Sequence, residues 1–218
     1  MGGHRRRLRL AGTPPARRTR FHGNIFGSLS SVTRLTLITH AITDAVLAAR
    51  VPADEPLNPL GERSVAGAGG LPRPAPTVVL HAPELRTEQT AKALGLDATA
   101  EPALRDLDCG AWSGKSMDDI TPGELMDWLT NPAHRSHGGE SITDLLARVG
   151  TWLDTLAGSG DRIIAVTHPG VVRAAILHSL NAPAESFWRI DIPPLTVTTL
   201  HHRAPAWTLR TAAHELSD

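Results

Sequence analysis

Leu35-Thr36-Leu37-Ile38-Thr39-His40-Ala41 is an apolar, partly β-branched run that stops on a histidine. Such a run is typical of a buried strand. The histidine would then lie at the carboxyl edge of a sheet, where open α/β sheets bind ligands. A lone histidine after a strand is more often an ordinary turn residue. However, the pattern recurs at Ile163–His168, which also ends in Thr-His, and this repetition favours a functional edge.

Strand-like and helix-like segments alternate along the rest of the chain. Strands are expected at 35–40, 77–81 and 163–168, and helices at 41–50, 60–68, 84–94, 142–156 and 171–180. Two more strand-like segments, 196–201 and 207–211, could form a closing pair. The alternation predicts an α/β fold, a three-layer α/β/α sandwich with a mostly parallel central sheet.

The predicted domain organisation is simple. Residues 1–31 are rich in Gly, Pro, Arg and Ser, with seven arginines and no acid among the first twenty. They lack apolar periodicity and are expected to form a disordered basic extension, with a basic arm for nucleic acid or anionic membrane as the alternative. Residues 32–218 are expected to form one catalytic domain with a lid-like insertion at 112–139.

Composition restricts the possible partners. The whole chain has a formal net charge of zero, so the part beyond the basic extension is net acidic and is not expected to bind nucleic acid. No apolar segment approaches the roughly 20 residues that a membrane span needs. The single Cys109 excludes an internal disulfide and suits a reducing, cytoplasmic location. The sequence leaves the oligomeric state open, with a dimer as one option.

Several reactive side chains are expected to meet at one edge of the sheet. Three predicted strands end in His40, His81 and His168, Arg86 lies in the first turn of a helix, and Asp106 lies in a nearby loop. A neutral imidazole can attack phosphorus, a guanidinium can hold phosphate oxygens, and a carboxylic acid can protonate a leaving alcohol. The set therefore suits an anionic substrate such as a phosphate monoester.

Six segments match, in order, the motifs of one family. They are Thr39-His40-Ala41 for Arg-His-Gly, Pro59-Leu60-Gly61-Glu62-Arg63 for Pro-Leu-Thr-x-x-Gly, Ala82–Ala91 for Ser-Pro-x-x-Arg-x-x-Gln-Thr-Ala, Leu104–Gly114 for Leu-x-Glu-x-x-x-Gly-x-Trp-x-Gly, Gly138-Gly139-Glu140-Ser141 for Gly-Gly-Glu-Ser, and Thr167–Arg173 for Ser-His-Gly-Gly-x-x-Arg. Together they resemble the histidine phosphatase superfamily, also called phosphoglycerate mutase-like.

The resemblance implies a phosphomonoester hydrolase acting on a small phosphorylated metabolite. His40 would be the nucleophile that forms phosphohistidine, Arg86 would clamp the phosphate, and His168 would stabilise the transition state. Asp106 would be the acid in place of the family's glutamate, with Asp108 able to take part because aspartate is shorter. The family uses no metal and no organic cofactor.

The expected substrate contacts extend beyond these four residues. Candidates, some in the predicted lid, are Thr39, Thr43, His81, Trp112, Glu140 and Arg135, with Trp128 and His137 as further pocket walls.

The sequence also departs from the family. Thr39 replaces the first pocket arginine. Loss of such a donor is expected to cost on the order of 2 to 4 kcal/mol of transition-state stabilisation. Ala41 and Pro169 replace glycines, and the proline removes a backbone N–H. His81 could supply a replacement cation when protonated.

Two alternatives follow from these departures. In the first, the chain is a relative recruited to different chemistry or to binding of an anionic ligand. In the second, His40, His81 and His168 hold a transition metal. A strict mutase is disfavoured because the predicted lid offers only Arg135 for a second phosphate.

Overall fold

A computed structural model describes Met1, residues 31–68 and residues 77–216. The predicted basic extension therefore lies almost entirely outside the described residues, as do residues 69–76, a stretch rich in Gly and Pro. The boundaries of the extension and of the catalytic domain stay predictions.

The described chain is organised around a six-stranded sheet. Its strands are β1 (Thr33–Thr39), β2 (Val78–His81), β3 (Thr99–Ala100), β4 (Arg162–Thr167), β5 (Thr196–Arg203) and β6 (Ala206–Glu215). The spatial order is β3-β2-β4-β1-β5-β6. Neighbouring strands among the first four in this order run parallel, whereas β5 and β6 are antiparallel to their neighbours. The predicted mostly parallel sheet is confirmed, and β5 and β6 are the expected closing pair.

Helices cover both faces of the sheet. They are α1 (Asp44–Leu47), α2 (Pro59–Gly67), α3 (Leu85–Ala93), α4 (Pro122–Thr130), α5 (Ile142–Leu156) and α6 (Pro169–Leu180). Leu35 and Leu37 of β1 belong to the core that contains α5 and α6, whereas Ile38 belongs to the core beside α3. Successive strand residues point to opposite faces, so the three-layer sandwich is confirmed.

The helix predicted at 41–50 is much shorter in the structure, and that prediction was wrong. Thr43 has extended dihedral angles and caps α1, with its hydroxyl accepting a hydrogen bond from the N–H of Val46. The other end is limited by Ala49, which has a φ of 48°. The composition favoured a helix, but these two conformations leave His40 and Ala41 outside it.

The region predicted as a lid, 112–139, follows a 3₁₀ turn at Gly110–Trp112 and contains a second turn at Met117–Asp119 and helix α4. Three of its apolar side chains, Trp112, Ile120 and Trp128, form a small buried cluster with Val51 and Cys109.

Two glycine-containing loops, one at 108–111 and one at 137–140, approach each other closely. The N–H of Glu140 donates to the carbonyl of Asp108 at 2.7 Å, and the N–H of Ala111 donates to the carbonyl of His137 at 2.8 Å. A Cβ atom at Gly139 would lie 2.0 Å from the oxygen of Asp108. This contact explains why the loop requires glycine at that position.

We expect Gly139→Ala to lower the free energy of unfolding by about 2 to 3 kcal/mol, because the new methyl group meets rigid backbone. Gly123→Ala in α4 is the matched control, since its Cβ would have no atom within 4 Å and alanine favours a helix by roughly 0.5 to 1 kcal/mol. Urea unfolding measures both. Equal stabilities would contradict the proposed backbone clash.

Candidate active site

The parallel pairing of β1 with β4 brings two histidines together. Thr39 is paired with Thr167, and the N–H of His40 donates to the carbonyl of Thr167 at 2.9 Å. The rings of His40 and His168 are 5.2 Å apart between centroids and are almost completely buried. The structure thus places both predicted side chains at the same carboxyl edge.

His40 has the protonation state of a nucleophile. Its Nδ1 is 2.8 Å from the carbonyl of Ala41, which can only accept, so Nδ1 carries the proton and Nε2 keeps its lone pair. Burial, together with the nearby charges of His168 and Arg86, lowers the pKa of His40 to about 3. The imidazole is therefore neutral near pH 7.

Arg86 is buried at the start of α3. One terminal nitrogen, Nη1, donates to the carbonyl of Ala53 at 2.6 Å, and the other, Nη2, donates to Oδ2 of Asp106 at 2.6 Å. Its Nε is buried and has no hydrogen-bond partner within the described residues. Both terminal nitrogens are held by the protein, and the buried Nε is left for a ligand.

Asp106 lies between Arg86 and His168. Besides the contact to Arg86, its Oδ2 is 3.4 Å from Nδ1 of His168, and its Oδ1 accepts from the N–H of Leu107 at 2.8 Å. Burial acts to raise the pKa of Asp106, but the charges of His168 and Arg86 outweigh it and lower the pKa to about 2. The ligand-free site therefore contains a carboxylate at this position.

Glu84 is a site residue that sequence reasoning missed. Its Oε2 is 2.8 Å from Nε2 of His168, and its Oε1 accepts from the N–H of Asp106 at 3.0 Å. Burial tends to raise the pKa of Glu84, but the hydrogen bond and charge of His168 lower it overall. An acid two residues before Arg86, at the start of the same helix, was the available signal.

The Nδ1 atom of His168 lacks a hydrogen bond although Asp106 is near. The 3.4 Å separation satisfies an ion-pair distance, yet the atom is buried without a hydrogen-bond partner in the described part of the chain. We regard it as an unused polar position because hydrogen bonding depends on direction as well as distance.

Glu140 supports the loop that carries Asp106. Its carboxylate accepts from Nε and Nη2 of Arg148 at 2.9 and 2.7 Å. The same guanidinium donates to the carbonyls of Ala103, Arg105 and Asp106 at 2.7 to 3.3 Å. Glu140 was predicted to bind substrate, whereas in the structure both oxygens of its carboxylate accept hydrogen bonds from Arg148.

Three other predicted contacts are engaged elsewhere. The hydroxyl of Thr39 donates to the carbonyl of Pro193 at 2.8 Å and accepts from the N–H of Thr196 at 2.9 Å. The hydroxyl of Thr43 donates to Glu55 at 3.0 Å. His81 is half-buried at the end of β2, with Nδ1 2.6 Å from the carbonyl of Ala82.

The predicted lid residues contribute unequally. Trp112 is buried behind the site against Trp128, with ring centroids 5.9 Å apart. Arg135 is exposed and is 3.5 Å from Asp144. His137 is buried and its Nδ1 accepts from the N–H of Gly139 at 3.0 Å. Among these candidates, Trp128 lines the pocket.

A pocket of about 270 Å³ opens beside His40 and Asp106. Most of its wall is apolar and includes Val46, Val51, Met117, Trp128, Trp188 and Ile192. Trp188 contacts Trp128 with ring centroids 4.4 Å apart and comes from a 3₁₀ segment, Ala184–Arg189. Sequence reasoning missed this second wall because the segment has no regular apolar period.

The metal-site alternative lacks geometric support. Among the described residues, no three His, Cys, Asp or Glu side chains are arranged to hold a metal ion. His40, His81 and His168 therefore do not form the proposed cluster.

The model of the histidine phosphatase superfamily (branch 1) matches residues 35–214. The chain belongs to this superfamily. The predicted family is thus confirmed, and with it the assignment as a phosphatase of the histidine phosphatase type.

Curated relatives of this histidine phosphatase agree with the assignment. A glucosyl-3-phosphoglycerate phosphatase from Mycolicibacterium vanbaalenii is 28% identical over 176 residues, covering 72% of this chain and 78% of that protein. A probable phosphoglycerate mutase from Yersinia pestis is 27% identical over 133 residues, covering 56% of this chain and 61% of its own. The chain also matches 52% of a bifunctional Mycobacterium tuberculosis protein at 27% identity over 190 residues, which cover 80% of this chain.

Solved structures show the same fold. A mycobacterial glucosyl-3-phosphoglycerate phosphatase superposes with a TM-score of 0.72 at 22% identity, covering 84% of this chain and all of its own. A phosphoserine phosphatase from Entamoeba histolytica gives a TM-score of 0.71 at 17% identity, covering 83% of this chain and 96% of its own.

In the described residues, none of the helices combines the length and apolar character that crossing a membrane requires.

The neutral state of His40 predicts a specific pH dependence of stability. Its pKa is about 3 in the folded chain and 6.5 ordinarily, so the unfolded chain binds more protons between these values. Stability should rise as pH increases from about 3 to 6.5, by up to about 1.4 kcal/mol per pH unit for this group. Asp106 also makes the folded chain more stable as pH rises, but only below about pH 4. Its pKa is lowered to about 2 in the folded chain, so the stability that its carboxylate contributes is lost as the pH falls through that range.

Denaturant unfolding at pH 4.5, 5.5 and 6.5 tests this dependence. His40→Asn should have a flatter slope than the unmodified protein, whereas His214→Asn, which changes an exposed histidine, should keep it. An unchanged slope in His40→Asn would show that His40 is not held neutral by the fold.

Proposed function

We propose that this histidine phosphatase hydrolyses a small phosphorylated metabolite through a phosphohistidine at Nε2 of His40. One observation carries the proposal. Two buried nitrogens that have no hydrogen-bond partner among the described residues, Nε of Arg86 and Nδ1 of His168, lie beside a neutral histidine. Unpaired buried polar atoms are costly. A phosphoryl oxygen would satisfy the guanidinium, and also His168 in its imidazolium form, which donates from both nitrogens.

The reaction follows from this arrangement in two displacements. The Nε2 lone pair of His40 forms a bond to phosphorus while the bond to the ester oxygen breaks. Arg86 and His168 stabilise the charge on the phosphoryl oxygens. Water then attacks phosphorus and gives a proton to the Asp106 carboxylate, the N–P bond breaks, and inorganic phosphate leaves.

The first displacement also needs a proton for the leaving alcohol. Asp106 is ionised in the ligand-free site because its pKa is about 2. A bound phosphoryl group adds negative charge beside it and competes for Arg86, and both changes raise that pKa. A monoanionic ester, common below a second phosphate pKa of about 6, can bring the proton itself. Asp106 then relays it to the leaving oxygen.

The relatives named as phosphatases support hydrolysis of a phosphate ester by this chain. The reaction is placed in the cytoplasm because the single Cys109 suits a reducing compartment. Small anionic esters are the proposed partners.

Binding of an anion without hydrolysis is the second candidate. The observation that favours it is that Thr39 adds no cation beside His40, whereas one nitrogen of Arg86 and one of His168 have no hydrogen-bond partner among the described residues. A trapped phosphohistidine distinguishes hydrolysis from this alternative.

His40→Ala is expected to reduce turnover of p-nitrophenyl phosphate and of a phosphometabolite panel by at least about a thousandfold, because the nucleophile is removed. Rapid quenching of the unmodified protein should trap acid-labile phosphate on His40. His214→Ala is the control, since this histidine is exposed on β6. Hydrolysis that persists in His40→Ala, or phosphate bound at another residue, would refute the assigned nucleophile.

Asp106→Asn should slow hydrolysis of alkyl phosphates by about 10²- to 10⁴-fold, the usual contribution of general acid catalysis. The loss in kcat/KM, which reports the first displacement, should be much smaller with p-nitrophenyl phosphate, whose leaving group departs without a proton, whereas loss of the base in the second displacement lowers kcat for every ester. Asp108→Asn tests the neighbouring exposed carboxylate. If Asp108→Asn shows this dependence on leaving group and Asp106→Asn does not, Asp108 is the acid.

A further inference from the structure

Arg173 lies in the same pocket as His40 and Asp106. Its Nε donates to the carbonyl of Ile190 at 2.8 Å. The guanidinium carbon is 5.6 Å from the ring centroid of Phe187 and 5.4 Å from that of Trp188. These contacts fix the side chain against the aromatic wall formed by the Ala184–Arg189 segment.

The charge of Arg173 is not neutralised by the described residues. None of their carboxylates lies within 4.0 Å of it, and its terminal nitrogens make no hydrogen bond among them. Burial lowers the pKa of Arg173, with the more distant Asp191 and Asp106 opposing this effect. A half-buried cation that no carboxylate of the described residues pairs is unfavourable, so this position is suited to an anion.

The position of Arg173 along α6 indicates which part of a substrate it would meet. His168 precedes α6 and faces the phosphoryl side. A Cβ atom at Gly170 would lie 3.7 Å from Oδ1 of Asp106 and 3.9 Å from the ring of Phe187. Arg173 follows one turn later, over the same ring. Because Asp106 is placed to protonate the leaving oxygen, Arg173 lies beyond that oxygen, on the alcohol side.

The rest of the alcohol side is apolar. Trp128 and Trp188 form one wall, and Val51, Met117 and Ile192 contribute others. An apolar cavity of about 150 Å³ holds a benzene ring, so the pocket of about 270 Å³ accommodates a ring together with a phosphoryl group. Such walls offer few partners for the hydroxyl groups of a sugar.

We propose that the preferred substrate is a phosphate monoester whose alcohol has a compact apolar, ring-sized body and a carboxylate that pairs with Arg173. This inference rests on the proposed hydrolytic function. The aromatic wall packs against the body, and the guanidinium fork can bind the carboxylate in a bidentate manner. Arg173 thereby determines specificity at a point separate from the phosphoryl group.

A set of aryl phosphates tests the inference. The substrates are phenyl phosphate, its 3-carboxy and 4-carboxy derivatives, and glycerol 2-phosphate as a polar comparison. The unmodified protein should prefer the better carboxylated ester over phenyl phosphate by about 10- to 100-fold in kcat/KM, as expected for one charged hydrogen-bonded pair. Glycerol 2-phosphate should be the poorest substrate.

Variants then assign the preference to Arg173. In Arg173→Gln the ratio of kcat/KM for carboxylated over plain ester should fall toward one, and Arg173→Lys should retain part of it. Arg189→Gln removes an exposed arginine from the neighbouring 3₁₀ segment and should keep the ratio. Thermal melts confirm that each variant is folded.

The outcomes separate this inference from the proposed function. No preference for carboxylated esters, or equal losses on both esters in Arg173→Gln, overturns the role of Arg173, even if phosphohistidine forms on His40. If no ester is hydrolysed, calorimetry with benzylphosphonate and 4-carboxybenzylphosphonate decides the inference. Tighter binding of the carboxylated compound that depends on Arg173 supports it while the hydrolytic function fails, and equal binding rejects it.

Discussion

The register between β1 and β4 is the constraint on which the site depends. The hydrogen bonding between these two strands continues one residue past the end of β1, because the N–H of His40 donates to the carbonyl of Thr167. Both strands are buried on two faces, and a slip by one residue would exchange those faces. The apolar pattern that forms the core therefore also fixes the separation of His40 from His168.

Buried charges impose the next constraint. Arg86 is paired with Asp106, and His168 contacts Glu84, so the charge of Arg86 is compensated inside the protein before any ligand arrives. Breaking a buried pair is costly, yet Arg86 and His168 each keep one nitrogen without a hydrogen-bond partner among the described residues. An anion can therefore enter without displacing every internal contact. This arrangement orients the donors in advance, which is what electrostatic catalysis requires.

The sequence predicted those parts of the site that depend on chain direction. The ends of parallel strands share an edge, so His40 and His168 could be placed together from two apolar runs, and Arg86 from the following helix. Glu84 and Trp188 were missed because their contacts depend on how separate segments pack, which periodicity does not describe. The short α1 was missed because the cap at Thr43 overrides helix-forming composition.

Thr39 gains a different meaning from its contacts. Its hydroxyl links the end of β1 to Pro193 and Thr196, so the side chain acts as a connection within the sheet and not as a shortened phosphate ligand. In the proposed mechanism the phosphoryl group is held by Arg86 and His168, and in the proposed substrate preference Arg173, which lines the same pocket, meets the alcohol. Relative to a pocket with two arginines on the phosphoryl group, positive charge is shifted toward the leaving group. Discrimination between substrates should consequently depend more on the alcohol, because phosphate is common to all of them.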